Sequence, residues 1–360
     1  MGSETHLDIR ENIPLAPLTT LRVGGPARFF VQVRNEDEVS RALGEASSRG
    51  LEVFILGGGS NILVSDDGFD GLVIRLALEG VRKLRTTDPA LNGRVLIRAQ
   101  AGVDWDTFVD YCVARGLAGV ECLSGIPGMV GGTPIQNVGA YGQDVSETIV
   151  KVRCFDRERG EIEELSNEDC GFSYRRSIFN STARDRYIVL AVTFALRPNG
   201  SPTISYGDLK AVFPDREPSL AETRTAVLKI RRAKSMVIDP ADPNSRSAGS
   251  FFKNPIIGRS QLTKIANAVS TGDVPYFEAG AGLVKVPAAW LIEKAGFRKG
   301  YRLGNAGISA NHSLALINRD GASSVEILAL MEKIVSSVAD KFGVELLPEP
   351  IFVGFGDRRG

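Results

Sequence analysis

Apolar positions along the chain recur every three or four residues in some stretches and run together in others. The switches between these patterns mark out the elements. Residues 27–33 are apolar and aromatic and predict a strand. Asn35, with Glu38 three positions on, opens a helix whose Val39, Ala42, Leu43 and Ala46 share one face and which stops before Gly50. Short buried strands follow at 53–56 and 72–75, giving the β-α-β alternation of an α/β unit. A strand is predicted over 94–101. Asp104 then caps a helix with Trp105, Phe108, Val109, Cys112 and Val113 at i, i+3, i+4, i+7 and i+8. Strands over 149–155 and 161–165 are joined through a polar turn, and 187–196 reads as a fully buried strand. This middle stretch predicts a second α+β domain.

Ser219 and Glu222 form a capping box for a helix reaching about Lys234. The run 238–244 holds two prolines and several turn formers and is the strongest internal boundary. Beyond it the pattern predicts helices over 260–269 and 287–295, and another from the Ser323/Glu326 box to Gly343. In that last helix Leu328, Met331, Val335, Val338 and Phe342 make a core stripe. A closing strand is predicted over 351–355. There is no internal repeat and no low-complexity segment.

Composition narrows the class. A chain of 360 residues makes two or three domains. Lys plus Arg is 43 and Asp plus Glu is 43, a balance that argues against a general nucleic-acid binder but leaves room for a local basic pocket. Four cysteines, Cys112, Cys122, Cys154 and Cys170, make no CxxC pair and read as buried thiols in a reducing compartment. With only His6 and His312, a His-rich metal site is excluded, and no metal is expected. No signal-like apolar region opens the chain, and the longest apolar run, 187–196, is half a membrane span. A soluble cytoplasmic protein without membrane insertion is expected.

Glycine is the one departure from ordinary usage, at 39 of 360 residues, and the excess is clustered. Gly57, Gly58, Gly59, Ser60 and Asn61 follow a strand. Small residues there let backbone N–H groups converge on an anion, with Ser60 and Asn61 as added donors; a plain tight turn is the competing reading. The chain has no GxGxxG and no Gly-Lys dipeptide, so any nucleotide is bound by neither a Rossmann fingerprint nor a P-loop. The segment from Gly125 to Gly142 holds Gly125, Gly128, Gly131, Gly132, Gly139 and Gly142. Such dense backbone constraint fits a long loop folded against a planar or extended ligand.

These pieces together resemble the UDP-N-acetylenolpyruvoylglucosamine reductase family of flavoenzymes, in the class with an inserted tyrosine loop. The resemblance is carried by Leu56 to Asn61, Gly125 to Gly142, Tyr174-Arg175-Arg176-Ser177, Ser205-Tyr206-Gly207-Asp208-Leu209, Ala248 to Pro255, and Leu347 to Pro350, in matching order over nearly the whole chain. It implies an α+β fold: a two-lobed FAD-binding domain of the vanillyl-alcohol-oxidase (PCMH) type plus a smaller α+β substrate-binding domain. The expected division is 1–78 as the first lobe, joined by 345–360, then 79–236 as the second lobe and 237–344 as the substrate domain.

The resemblance also implies the chemistry. NADPH is the co-substrate and reduces a non-covalent FAD. Hydride from flavin N5 then reaches the enolpyruvyl ether of UDP-N-acetylglucosamine, giving UDP-N-acetylmuramate for peptidoglycan synthesis. Gly57, Gly58, Gly59, Ser60, Asn61, Gly125, Ile126, Pro127, Gly128, Gly131 and Gly132 would hold the flavin. Charge developing on the substrate as an enediolate calls for a fixed cation, matched by Arg175, and a protonated partner, matched by Glu349. Ser250 matches the proton donor. Tyr206 matches the lid tyrosine, and Arg231, Lys234 and Asn254 match substrate contacts, with Tyr276 and Lys285 as weaker matches. A monomer is expected. The family's Asn-Thr-Phe is replaced by Thr19-Thr20-Leu21, and His312 is assigned no role.

Without the resemblance each of these residues has a plainer reading. Arg175 is a surface arginine, with Arg176 an equal choice; Ser250 is a turn or cap residue; Glu349 is a solvated loop carboxylate; Lys234 complements a helix dipole. Two rival functions stand beside the reductase. One is an FAD-dependent alcohol or sugar oxidase, for which Cys122 is the nearest residue for covalent flavin attachment. The other is a nucleotide-sugar or flavin-binding protein without turnover.

Overall fold

The computed structural model describes residues 7–269 and 274–356; His6 lies outside them. Along the first half run β1 (Arg10–Pro14), β2 (Pro26–Val33), α1 (Glu36–Ser48), β3 (Glu52–Leu56), β4 (Ile62–Val64), β5 (Phe69–Leu76), β6 (Val81–Leu84), β7 (Val95–Gln100) and α2 (Trp105–Val113). There follow β8 (Leu117–Ala118), β9 (Gly139–Ala140), β10 (Gln143–Asp144), β11 (Ile149–Asp156), β12 (Glu161–Ser166), β13 (Tyr187–Pro198), α3 (Gly207–Val212) and α4 (Leu220–Ala233). The last part holds β14 (Ile256–Gly258), α5 (Arg259–Ala268), β15 (Phe277–Glu278), β16 (Leu283–Lys285), α6 (Ala288–Lys294), β17 (Arg302–Leu303), β18 (Ala306–Ile308), β19 (Leu316–Asn318), α7 (Ser324–Phe342) and β20 (Ile351–Val353).

The chain forms two compact units. The first takes residues up to Ile13, Arg28–Gly58 and Asp70–Ala233; the second takes Pro14–Ala27, Gly59–Phe69 and Lys234 onward. Within the first unit one apolar cluster joins Val31, Val39, Leu72 and Ile74 to Ala101, Phe155, Ile188 and Leu190.

In the first unit, one sheet has strand order β1-β2-β5-β3, with β3 and β5 parallel and α1 supplying the crossover between β2 and β3. The other is antiparallel, in the order β12-β11-β13-β7-β6, with β8 on β13. β13 is flanked on both sides and buried from Ile188 to Leu196, which explains its unbroken apolar run. Asn35 and Asp104 each accept a backbone N–H three residues on, from Glu38 and Thr107, so both predicted caps form. α2 packs Trp105 and Phe108 on Phe194 of β13, with ring centroids 6.0 and 4.7 Å away. Burying each such side chain stabilises the fold by about 2–3 kcal/mol.

In the second unit, antiparallel sheets β14-β16-β15 and β17-β18-β19 share a core with α5, α6 and α7, and β20 pairs with β4 in parallel. α7 starts on the predicted Ser323/Glu326 box, and Asp66 adds its carboxylate to the N–H groups of Ser324 (2.8 Å) and Val325 (3.4 Å). The deepest stripe of α7 is Ile327, Leu330, Ile334 and Val338; Met331 and Val335 of the predicted stripe flank it half-buried. The closing strand ends at Val353 rather than 355.

Candidate active site

In the first unit Gly58, at the start of the first glycine loop, lies against Gly128 of the second. A Cβ added at Gly58 would come 2.6 Å from Gly128 Cα, so only glycine allows this approach. Tethers from α2 fix the second loop. Trp105 N donates to Gly128 O (3.0 Å), the buried Trp105 indole Nε1 donates to Leu123 O (3.0 Å), and Gly125 N donates to Asp106 Oδ1 (2.6 Å). Asp106 also receives both ends of the Arg224 guanidinium from α4, at 2.6 and 2.9 Å. Burial pushes the Asp106 carboxyl up, but Arg224 and the Gly125 N–H outweigh it and hold the group below its ordinary value.

Gly131 N reaches Ala101 O (3.0 Å), and a Cβ at Gly131 would meet Ala101 at 2.6 Å. At Gly57 and Gly132 a Cβ would meet nothing. The paired loops therefore combine a locked backbone with open approaches at both ends, a cradle that fits an extended anionic cofactor such as FAD. Ile126 and Pro127 lie between the locked Gly125 and Gly128. Cys122, just ahead of the loop, is fully buried, and burial pushes its thiol up to about 12. That disfavours the thiolate needed for covalent attachment.

Arg175 is built into the same loop. Its backbone is left-handed, with φ 54°. Its Nη2 donates to Gly139 O (2.5 Å) and its Nη1 to Asn137 O (3.3 Å), with Asp144 Oδ1 at 3.8 Å. A Cβ at Gly139 would fall on the Asp144 carboxylate, so glycine makes this arrangement fit. Asn137, itself buried, donates to Ser173 O (3.1 Å) and accepts from Ser146 N (3.1 Å), while Ser177 Oγ donates to Ile135 O (2.6 Å). The Tyr174–Ser177 segment and the 135–146 stretch are thus laced together by side chains.

Tyr206 is 43% exposed at the start of α3 and meets Tyr141 edge-on, with ring centroids 5.6 Å apart. Tyr141 also hydrogen-bonds Arg231, whose guanidinium burial pushes below its usual value while Tyr141 and Asp106 oppose the shift. The sequence reading named Tyr206 and Arg231 and missed Tyr141, which connects them; its left-handed φ of 51° has no mark in the sequence.

In the second unit Ser250 and Glu349 lie on adjoining backbone. Phe251 O accepts from Glu349 N (2.9 Å), Lys253 N donates to Leu347 O (3.0 Å), and Phe251 and Phe252 are buried beneath. Asn61 of the first glycine loop joins the same backbone through Asn61 Nδ2 to Glu349 O (3.3 Å) and Ile351 N to Asn61 O (3.0 Å). Thr20 N donates to Gly59 O (3.0 Å) and its hydroxyl donates to Ser247 O (2.6 Å), while Leu21 is fully buried. The Thr19-Thr20-Leu21 departure thus keeps the polar link to the Gly59–Asn61 stretch and sends an aliphatic side chain into the core.

Asn254 uses its amide oxygen on Ala288 N (2.9 Å) at the start of α6. Lys234 is half-buried. Tyr276 is 43% exposed and lies 5.7 Å from the Arg259 guanidinium, and Lys285 Nζ lies 5.9 Å from the Phe277 ring. His312 Nδ1 accepts from Leu314 N (3.1 Å), and Leu314 O accepts from Phe251 N (2.8 Å), so this histidine buttresses the turn that holds the backbone beside Ser250. Among the described residues no group of three His, Cys, Asp or Glu side chains could hold a metal, and no helix is long and apolar enough to cross a membrane.

Residues 27–166, which include both loops, match the family model for an FAD binding domain, and the chain is an FAD-binding oxidoreductase. Residues 240–353 match the model for the C-terminal domain of UDP-N-acetylenolpyruvoylglucosamine reductase. The chain is 46% identical to the reductase of that name from Thermobifida fusca (strain YX), over 95% of this chain and 97% of that one. It is 44% identical to the one from Saccharopolyspora erythraea, over 94% of each. A crystal structure of the Thermus caldophilus enzyme superposes with a TM-score of 0.64 at 26% identity, covering 97% of this chain and 99% of that one. The chain belongs to the UDP-N-acetylenolpyruvoylglucosamine reductase family.

Proposed function

We propose that the chain reduces the enolpyruvyl ether of UDP-N-acetylglucosamine to UDP-N-acetylmuramate with NADPH, as a cytoplasmic monomer serving peptidoglycan precursor synthesis. The observation that carries this reading is Arg175. A left-handed backbone and two loop carbonyls lock its guanidinium in place, so the positive charge stands ready before substrate arrives. The carbonyls fix the plane of the group without neutralising it, and Asp144, at 44% side-chain exposure, is a solvated partner.

FAD would be held by Gly57, Gly58, Gly59, Ser60 and Asn61 together with Gly125, Ile126, Pro127, Gly128, Gly131 and Gly132. When bound, it supplies the hydride that NADPH provides. Arg175 takes the charge that develops on the substrate carboxylate and α-carbon. Glu349 is assigned as a hydrogen-bond donor to the same enediolate, a role only its protonated form can fill. Ser250 gives its hydroxyl proton to the α-carbon and regains one from water. Tyr206 closes over the nucleotide, Arg231 and Lys234 serve the diphosphate, and Asn254 offers its amide NH₂ end, since its oxygen caps α6.

Incubation of the flavin-loaded protein with NADPH and the enolpyruvyl nucleotide sugar should yield the lactyl ether, identified by mass spectrometry. NADPH consumption without that product would overturn the assignment.

A further inference from the structure

A buried carboxylate that this chemistry does not use lies in the first unit. Glu121 is fully buried in the turn just ahead of the second glycine loop. Its Oε2 accepts from Gly119 N (2.7 Å), and its Oε1 accepts from Thr203 N (3.2 Å) and Gln143 Nε2 (3.4 Å). Gln143 is buried as well, and its Oε1 accepts from Cys122 N (3.0 Å). The Cys122 thiol donates to Thr203 O (3.4 Å). Burying a carboxylate is unfavourable unless several donors converge on it, so the group specifies where those donors lie.

The segments brought together are 119–122, the strand carrying Gln143, and the extended stretch around Thr203. That stretch belongs to no sheet and leads within three residues to Tyr206. Downstream of Tyr206, Leu209 of α3 is buried against Cys122, Ala226 and Val227. Ser205 Oγ adds a contact to Gly142 O at 3.4 Å. Tyr206 therefore sits on a short strap pinned at Thr203 and at Leu209, while its own ring stays partly exposed and touches Tyr141.

We infer that Glu121, with Gln143, is a positioning residue for Tyr206: it fixes the strap so that the tyrosine is presented at the substrate's nucleotide. This rests on the reading of Tyr206 as a substrate contact. Glu121→Gln removes one acceptor and points an N–H at an existing donor; Gln143→Met keeps the volume and removes the bridge.

The test uses flavin-loaded wild type, Glu121→Gln, Gln143→Met and Tyr206→Ala. Tryptic cleavage after the exposed Lys210 reports the hold on the strap, and the shift of the flavin absorption on adding the enolpyruvyl nucleotide sugar gives its Kd. In both positioning variants cleavage should speed up several-fold and the sugar should bind about tenfold more weakly, the order expected for losing a hydrogen bond to a buried charge, with flavin content unchanged. Wild-type cleavage and Kd in whichever variants fold would overturn the inference. So would faster cleavage with unchanged Kd when Tyr206→Ala does weaken binding. If Tyr206→Ala leaves Kd unchanged while cleavage speeds up in Glu121→Gln, the hold by Glu121 stands and the contact assigned to Tyr206 falls instead.

Discussion

Arg175 in the first unit and Ser250 with Glu349 in the second are positioned by different means. Around Arg175 the fastening is done by side chains reaching loop backbone: Asn137 to Ser173 O, Ser177 to Ile135 O, Arg175 itself to Asn137 O and Gly139 O, and Asp106 to Gly125 N. Around Ser250 and Glu349 the fastening is chiefly main chain to main chain, through Glu349 N to Phe251 O, Lys253 N to Leu347 O and Phe251 N to Leu314 O, with Asn61 Nδ2 on Glu349 O and the Thr20 hydroxyl on Ser247 O beside it. The difference teaches which substitutions each region tolerates. A loop held by side chains loses its shape when one is changed. A pair of backbone segments held by their own peptide groups keeps its shape when a side chain on it is changed.

The largest effect expected from that contrast is chemical and lies in the second unit. Ser250→Ala should lower turnover by about 10²–10⁴-fold, the range for a lost proton donor. Its Tm should match wild type, because no backbone link is touched. Stopped-flow reoxidation of reduced flavin by the sugar, with thermal melting alongside, separates the two; a normal reoxidation rate removes Ser250 from the chemistry. The next effect is structural and lies in the first unit. Asn137→Leu strands the Ser173 carbonyl and the Ser146 N–H and places a bulky residue at φ 44°, so it should destabilise by about 2–3 kcal/mol in urea unfolding. A loss below 0.5 kcal/mol would erase the contrast.

Acid sharpens it further. Arg186 hydrogen bonds, helped by the N–H groups of Glu158 and Arg159 and opposed by burial, hold the Asp156 carboxyl of the first unit at about 2. The folded value is depressed, so the stabilisation is present above the unfolded value of about 3.9 and fades as pH falls toward the folded one. Asp156→Asn should melt lower than wild type at neutral pH and show a flatter fall of Tm from about pH 4 to about pH 2. Parallel Tm–pH curves would refute the assignment. The smallest effect belongs to the second unit. Leu347 gives its carbonyl to Lys253 but exposes 56% of itself, so Leu347→Ala should change stability by less than about 0.5 kcal/mol in the same urea assay.

What the sequence revealed follows the same division. Local signals were readable: the caps at Asn35, Asp104, Ser219 and Ser323 and the buried β13 all formed as predicted. The resemblance reached the family because its motifs run the length of the chain. Long-range partners were not readable. Nothing near Asp66 says that it caps α7, some 258 residues on, and nothing near Glu121 says that it meets Thr203. Strands of two or three residues, such as β15 and β17, carry too few alternations to show a period, so both small sheets of the second unit went unpredicted. Tyr141 was missed because a left-handed tyrosine looks like any other tyrosine in the sequence.

Under the proposed function one chain carries both a flavin-reducing and a sugar-reducing half-reaction. The most direct measurement is an anaerobic visible spectrum of the purified protein, first with NADPH and then with the enolpyruvyl nucleotide sugar. NADPH should bleach the flavin bands, and they should return when the sugar is added. Bleaching without return would contradict the proposed substrate, and a protein that cannot be loaded with FAD would contradict the reading of both glycine loops.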